Sequence, residues 1–163
     1  MRIIVILLVI NLSLAFGVKV HAEDNNPAEL NRRIQELYRA GKFQEAIPLA
    51  EKLVALTKRT KGDADPITAT SLNDLGELYL KLGDYAKAEP LLKEALEIRR
   101  KVLGRQHPGT AASLNVLAEL YLKVGDFPEA EPLFKEALEI RQKVLGSQHP
   151  GTAQSLNGLA QLY

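Results

Sequence analysis

Apolar residues along most of the chain recur three or four positions apart, the spacing that places them on one face of an α-helix. One such segment contains Leu72 and Leu75 and ends at Gly83, a residue suited to the left-handed conformation that terminates helices. A second segment begins at Tyr85 and keeps the same periodicity to about Leu103. The pattern therefore predicts two consecutive helices joined by a tight turn.

This predicted helix pair recurs at an interval of 42 residues. Residues 69–110 align without gaps on residues 111–152, and 32 of the 42 positions are identical. A further copy runs from Ala153 to Tyr163, and a more divergent copy precedes residue 69. Because one helix pair cannot bury its apolar faces alone, we expect the pairs to stack in a row.

Prolines mark where the first helix of each pair begins. Pro66, Pro108 and Pro150 stand at repeat-equivalent positions, and a proline is tolerated in the first turn of a helix. The predicted fold class is all-α, an α-solenoid of stacked antiparallel helix pairs. Its units span about residues 27–65, 66–107 and 108–149, with a partial unit at 150–163.

The spacing of large and small residues within each unit resembles a known repeat. The positions that carry the likeness are Leu72, Leu75, Gly76, Tyr79, Gly83, Tyr85, Ala88, Leu92 and Ala95. Together they resemble the tetratricopeptide repeat. The strings AEPLLKEALEIRRKVLG and AEPLFKEALEIRQKVLG, each followed by a loop ending in QHP, resemble its longer kinesin light chain type. The resemblance implies a right-handed superhelix whose concave groove is lined by the first helices and binds extended or helical peptides.

Polar residues beside the apolar stripe of each first helix are the candidates for that groove. They occupy repeat-equivalent positions: Asn73, Asn115 and Asn157, then Glu77, Glu119 and Gln161, then Lys81 and Lys123. An asparagine offers a donor and an acceptor to a ligand backbone, and paired Glu and Lys could select charged side chains. The alternative is that each asparagine holds its own neighbouring helix or loop. The position that holds Asp74, Val116 or Gly158 varies between copies and is a candidate for specificity.

Composition narrows the function mainly by exclusion. The chain has no cysteine, which excludes disulfides, thiolate zinc sites and cysteine nucleophiles. Its 21 Lys+Arg against 20 Asp+Glu give no long-range attraction to nucleic acid or anionic membranes. The recurring Ser71, Ser113 and Ser155 have no His–acid partner at a plausible spacing, and no glycine-rich phosphate loop is present. We therefore expect neither catalysis nor a cofactor.

Two histidines, His107 and His149, raise the question of a metal site. They lie one repeat apart, each precedes a proline, and no nearby cysteine or second histidine completes a ligand set. Helix capping or loop hydrogen bonding is the preferred interpretation, and no metal site is predicted.

The first 22 residues differ from the rest of the chain. Arg2 precedes an apolar run over residues 3–18, and Val20 and Ala22 stand at the −3 and −1 positions of a cleavage site. This arrangement predicts a secretory signal peptide, residues 1–22, cut after Ala22 and followed by the repeat domain, residues 23–163. An uncleaved anchor is the alternative, although the run is shorter than a membrane-spanning helix needs. We expect no stable membrane insertion after cleavage.

These features predict a non-catalytic scaffold that binds a protein or peptide in the cell envelope or outside the cell. The alternative is the recognition arm of a longer exported enzyme or signalling protein, with an effector domain beyond residue 163. Residues 150–163 correspond to a first helix whose partner is missing, so we expect a fragment of a longer protein or a terminal cap. That terminal helix could also mediate self-association with another copy.

Overall fold

The regular structure of the chain is helical throughout the part that the computed structural model describes, residues 26–163. The bounds are α1 Pro27–Arg39, α2 Phe43–Lys61, α3 Pro66–Leu82, α4 Tyr85–Val102, α5 Pro108–Val124, α6 Phe127–Leu145 and α7 Pro150–Ala160. The prediction of an all-α solenoid built from helix pairs is confirmed. The predicted signal peptide, residues 1–22, lies outside the described residues.

Local sequence signals begin and end the first helix of each pair. The side chains of Asn26 and Asp65 cap α1 and α3 by accepting a backbone N–H. His107 and His149 cap α5 and α7 in the same way, since their Nδ1 atoms accept from backbone N–H groups at 2.9 and 3.0 Å. The capping interpretation of these histidines is confirmed. At the other end, Gly83 closes α3 with a φ of 79°, a conformation that favours glycine.

The helices form two layers that curve. The first layer contains α1, α3, α5 and α7, and the second contains α2, α4 and α6. The first-layer helices α3, α5 and α7 approach one another more closely than α4 approaches α6. The row therefore bends toward the first layer, which lines the concave side, while the second layer lies on the convex side.

Small residues allow the two layers to pack closely. Ala88, Ala95, Ala130 and Ala137 of the second layer are completely buried against the first layer. A methyl side chain at these crossings lets the backbones approach, so the neighbouring leucine and aromatic side chains interdigitate at interior packing density.

The two near-identical units distribute their core volume differently. Leu92 packs against Gly76, where an added Cβ atom would lie 2.7 Å from the leucine Cδ2 atom. In the next unit Phe134 replaces Leu92 and Ala118 replaces Gly76. The larger ring packs against Gly158 of α7 instead, where an added Cβ atom would overlap it. Each unit is therefore fitted to its own neighbours.

This fit gives a packing reason for one of the variable positions. Gly158 stands where the earlier copies hold Asp74 and Val116, and only glycine leaves room for the ring of Phe134. The difference between Val116 and Gly158 thus follows from the core residue beneath each of them.

We predict that Gly158→Val destabilises the fold by roughly 1–3 kcal/mol, because the new side chain overpacks the ring of Phe134. The double variant Phe134→Leu/Gly158→Val copies the Leu92/Val116 pairing of the preceding unit and should recover most of that loss. Denaturant unfolding followed by circular dichroism measures both. A double variant no more stable than the single one would contradict the size matching.

Candidate functional site: the concave groove

Most of the sequence-predicted groove residues lie on the accessible surface of the concave layer. Lys123 on α5 and Asn157 on α7 are exposed, and so is Gln161, the residue that follows the last residue of α7. The Lys81 Nζ atom forms an ion pair with the Glu119 Oε1 atom at 3.1 Å, which links α3 to α5. The structure thus brings Lys81 and Glu119 together and leaves polar side chains on successive helices open to a ligand.

At the N-terminal end of the groove, acidic residues from α3 face α1. Glu77 accepts a hydrogen bond from the Tyr38 hydroxyl, and this contact joins α1 to α3. Beside it, Asp74 and Glu77 line a cavity of about 120 Å³ together with residues of α1. Burial, and secondly the neighbouring charge of Glu77, raise the pKa of Asp74 to about 6, although Arg99 opposes the shift.

Asn73 and Asn115 lie deeper than the other candidates, with 6% and 3% of their surfaces exposed. The Asn73 Oδ1 atom accepts a hydrogen bond from the Ser113 hydroxyl at 3.1 Å. The Asn115 Oδ1 atom accepts from the Ser155 hydroxyl at 3.1 Å and from Arg141 Nη1 at 3.3 Å. Each amide therefore holds the next first-layer helix, as the alternative interpretation of the asparagines requires. Direct contact of these two amides with a ligand stays a prediction.

Two buried arginines, Arg99 and Arg141, complete this network, and the sequence analysis did not identify them. They are 7% and 6% exposed, and burial lowers the pKa of both guanidinium groups. Arg141 Nη1 donates to the Gly151 carbonyl at 2.7 Å and to the Ser155 hydroxyl at 2.8 Å. Arg99 makes the equivalent bonds to α5. The arginines thus fix the angle between successive units, and with it the curvature of the groove.

The C-terminal part of the groove has a different chemistry. A cavity of about 240 Å³ lies between α5 and α7, above the ring of Phe134. Its polar lining is mostly carboxamide: Asn115, Gln154, Asn157 and Gln161, with one carboxylate from Glu119. Carboxamides can donate to and accept from a peptide backbone, whereas the N-terminal end of the groove presents carboxylates.

Residues 26–163 contain no cluster of three or more His, Asp or Glu side chains that could hold a metal ion. None of its helices combines the length and the apolar composition needed to cross a bilayer.

The fold and the repeat pattern agree with known proteins. The tetratricopeptide repeat family model matches residues 30–101, 78–143 and 117–163. Two crystal structures of a Podosopora anserina protein, described as a kinesin light chain with nearly identical TPR-like repeats, superpose with a TM-score of 0.77 at 29% identity. The superposed region covers 86% of this chain and 66% of the Podosopora anserina chain.

A further protein of known structure shares the fold at lower identity. BtubC (BKLC) from P. vanneervenii superposes with a TM-score of 0.72 at 24% identity, covering 94% of this chain and 59% of its own. The chain therefore spans less than two thirds of the length of these similar structures. No curated protein matches the sequence significantly.

We predict that Arg99→Ala lowers the free energy of unfolding by about 3 kcal/mol, since it removes the donor to the Gly109 carbonyl and to the buried Ser113 hydroxyl of α5. The adjacent Arg100→Ala is the matched control. Arg100 forms a partly exposed ion pair with Glu136, so its replacement should cost no more than about 1 kcal/mol. Chemical denaturation measures both, and equal losses would show that the buried network does not hold the units together.

Asp74 should make stability depend on pH. Its folded pKa lies above the ordinary value of 3.8, so ionisation costs stability above about pH 6, and the cost disappears as the pH falls toward 4. Asp74→Asn should therefore stabilise the protein near pH 8 by on the order of 1 kcal/mol and have little effect near pH 4. Thermal unfolding at both pH values provides the measurement, and a gain of the same size at each would refute the assignment.

Proposed function

Because the chain belongs to the tetratricopeptide repeat family, we propose that it is a non-catalytic scaffold that binds a protein or peptide in its concave groove. The observation that carries the proposal is the curvature of the stack toward its first layer. We infer that this curvature brings the predicted groove residues of the first layer, from α3, α5 and the C-terminal end of α7, to one concave face: Glu77, Lys81, Glu119, Lys123, Asn157 and Gln161. Repeat proteins use such extended concave surfaces for binding.

The chemistry of the groove supports a peptide ligand bound in one direction. Asp74 and Glu77 make the first end acidic, so it complements a basic side chain. The amides of Asn157 and Gln161 at the other end can pair with a ligand backbone. Between these two ends of the groove, Lys81 forms an ion pair with Glu119. A bound peptide must either break this ion pair or place a polar side chain against it.

Selection of peptides from a random library on the folded repeat domain tests this proposal. Binding of the selected peptides should weaken at least tenfold or so in Lys123→Glu/Gln161→Ala, which changes the concave face. Lys101→Glu is the matched control, because Lys101 is exposed on α4 of the convex layer. Equal loss in both variants, or loss only in the control, would place the ligand elsewhere.

For the cellular setting, we propose export by a signal peptide over residues 1–22, which places the scaffold in the cell envelope or outside the cell. The charged start, the apolar run and Ala22 support this proposal. N-terminal sequencing of the protein from export fractions should begin at Glu23. A protein that retains Met1 and sediments with membranes would favour the anchor instead.

The alternative proposal is a recognition arm of a longer exported enzyme or signalling protein. The similar structures are longer than this chain, which spans 66% and 59% of them, so a longer protein is compatible with the same repeat fold. The mass and the domain composition of the native protein distinguish the two proposals, since only a recognition arm is joined to a folded domain of another class.

Self-association through α7 is a separate proposal about partners. Leu156 and Tyr163 at this end of the stack are 46% and 86% exposed. Light scattering over a concentration series should show a rise in mass that Leu156→Lys removes, while a constant monomer mass would reject it.

A further inference from the structure

A third cavity lies on the convex side, between α4 and α6, away from the concave groove. Its volume is about 370 Å³, compared with about 240 and 120 Å³ for the two cavities of the groove. Leu96, Leu117 and Leu133 form its apolar lining, and the ring of Tyr121 lies among them. An apolar cavity with a few charged groups at its rim has the composition of a ligand site.

The ring of Tyr121 is held in a defined position. Its hydroxyl donates to the Glu89 Oε1 atom at 3.0 Å, which ties α5 to α4. The Lys93 Nζ atom lies 5.8 Å from the centroid of the ring. Lys93 is also paired with Glu89 at 2.7 Å, and its side chain is 56% exposed.

The cavity is lined by two cations, Lys93 and Arg100, and by two carboxylates, Glu97 and Glu129. Both cations of the rim are neutralised, Lys93 by Glu89 and Arg100 by Glu136 at 2.6 Å. Glu97 and Glu129 also line the cavity, and neither takes part in an ion pair within the described part of the chain. The cavity is therefore complementary to a cation.

The preceding repeat junction shows which cation fits beside such a tyrosine. Tyr79 is equivalent to Tyr121, and its hydroxyl donates to Glu51 at 2.7 Å. The Lys87 Nζ atom covers the Tyr79 ring at 5.1 Å from its centroid. Lys87 stands at the position that Glu129 occupies one repeat later. Both tyrosines thus have a lysine of α4 beside the ring, Lys87 at Tyr79 and Lys93 at Tyr121. At the second junction Lys93 is already paired with Glu89, and the carboxylate of Glu129 stands where Lys87 stands at the first.

We propose that the convex cavity binds a lysine side chain presented by a partner protein. The guest ammonium occupies, relative to Tyr121, the place that Lys87 occupies at Tyr79, where the ring attracts a cation and Glu97 and Glu129 neutralise it. The aliphatic stem lies on the leucine side chains, as lysine stems do on apolar surfaces. This site is separate from the concave groove and gives the scaffold a second point of attachment.

Nuclear magnetic resonance with specifically labelled tyrosine tests the proposal on the folded domain. The probe is Nα-acetyl-lysine-N-methylamide, and the norleucine analogue has the same stem without the ammonium. The Tyr121 resonance, assigned with Tyr121→Phe, should shift saturably with the lysine probe and not with norleucine. No shift, or an equal shift with both probes, would overturn the proposal.

Glu129→Lys is the most informative variant, because it places a lysine where Lys87 stands in the preceding repeat. The new ammonium group should then occupy the position proposed for the partner's lysine. The affinity of the lysine probe should fall at least tenfold or so, with the helical circular dichroism spectrum unchanged. Glu139→Lys changes the charge equally at an exposed position of the same helix and should bind like the wild type. An unaltered affinity in Glu129→Lys, or an equal loss in Glu139→Lys, would contradict the site.

The reciprocal change serves as a gain-of-function measurement. Lys87→Glu with Ala55→Glu gives the first junction both carboxylates of the second and uncovers Tyr79. The lysine probe should then shift the Tyr79 resonance, which does not respond in the wild type. Loss of the Tyr121 response in the concave variant Lys123→Glu would contradict the separation of the two sites.

Discussion

The structure depends on one constraint: each helix pair can bury its apolar face only against the next pair, in the correct register. Completely buried alanines such as Ala88 and Ala130 bring the layers together, and the larger side chains then fill the space between the units. The pairing of Phe134 with Gly158 shows how closely this register is specified, because even two near-identical units have different core partners. A shift by one unit would overpack one junction and leave a void in another.

The same register controls the surfaces that are available for binding. Arg99 and Arg141 connect the second-layer helices α4 and α6 to the first-layer helices that follow them, so they set the angle between these units. The curvature brings polar residues of α3, α5 and α7 onto one concave face and separates α4 from α6 on the other. The curvature of the stack therefore accounts for both the concave groove and the convex cavity.

The helices and their pairing could be predicted from the sequence, because the period of 42 residues repeats the capping and packing signals. The buried arginines could not be recognised from residue type, yet Arg99 lies seven residues after Leu92, on the apolar face of its helix. Asn73 is buried because α5 packs closely against α3 at this point. The periodicity of apolar residues within one helix does not indicate how closely another helix approaches it. The convex cavity likewise depends on the spacing between α4 and α6.

Hydrogen–deuterium exchange of the repeat domain, with and without a selected peptide, tests the central claim most directly. That claim is that the curved stack presents its first-layer helices to a protein ligand. The account predicts that bound peptide slows exchange along α3, α5 and α7 and leaves the exposed face of α4 and α6 unchanged. Protection confined to the second layer, or spread evenly over both layers, would contradict it.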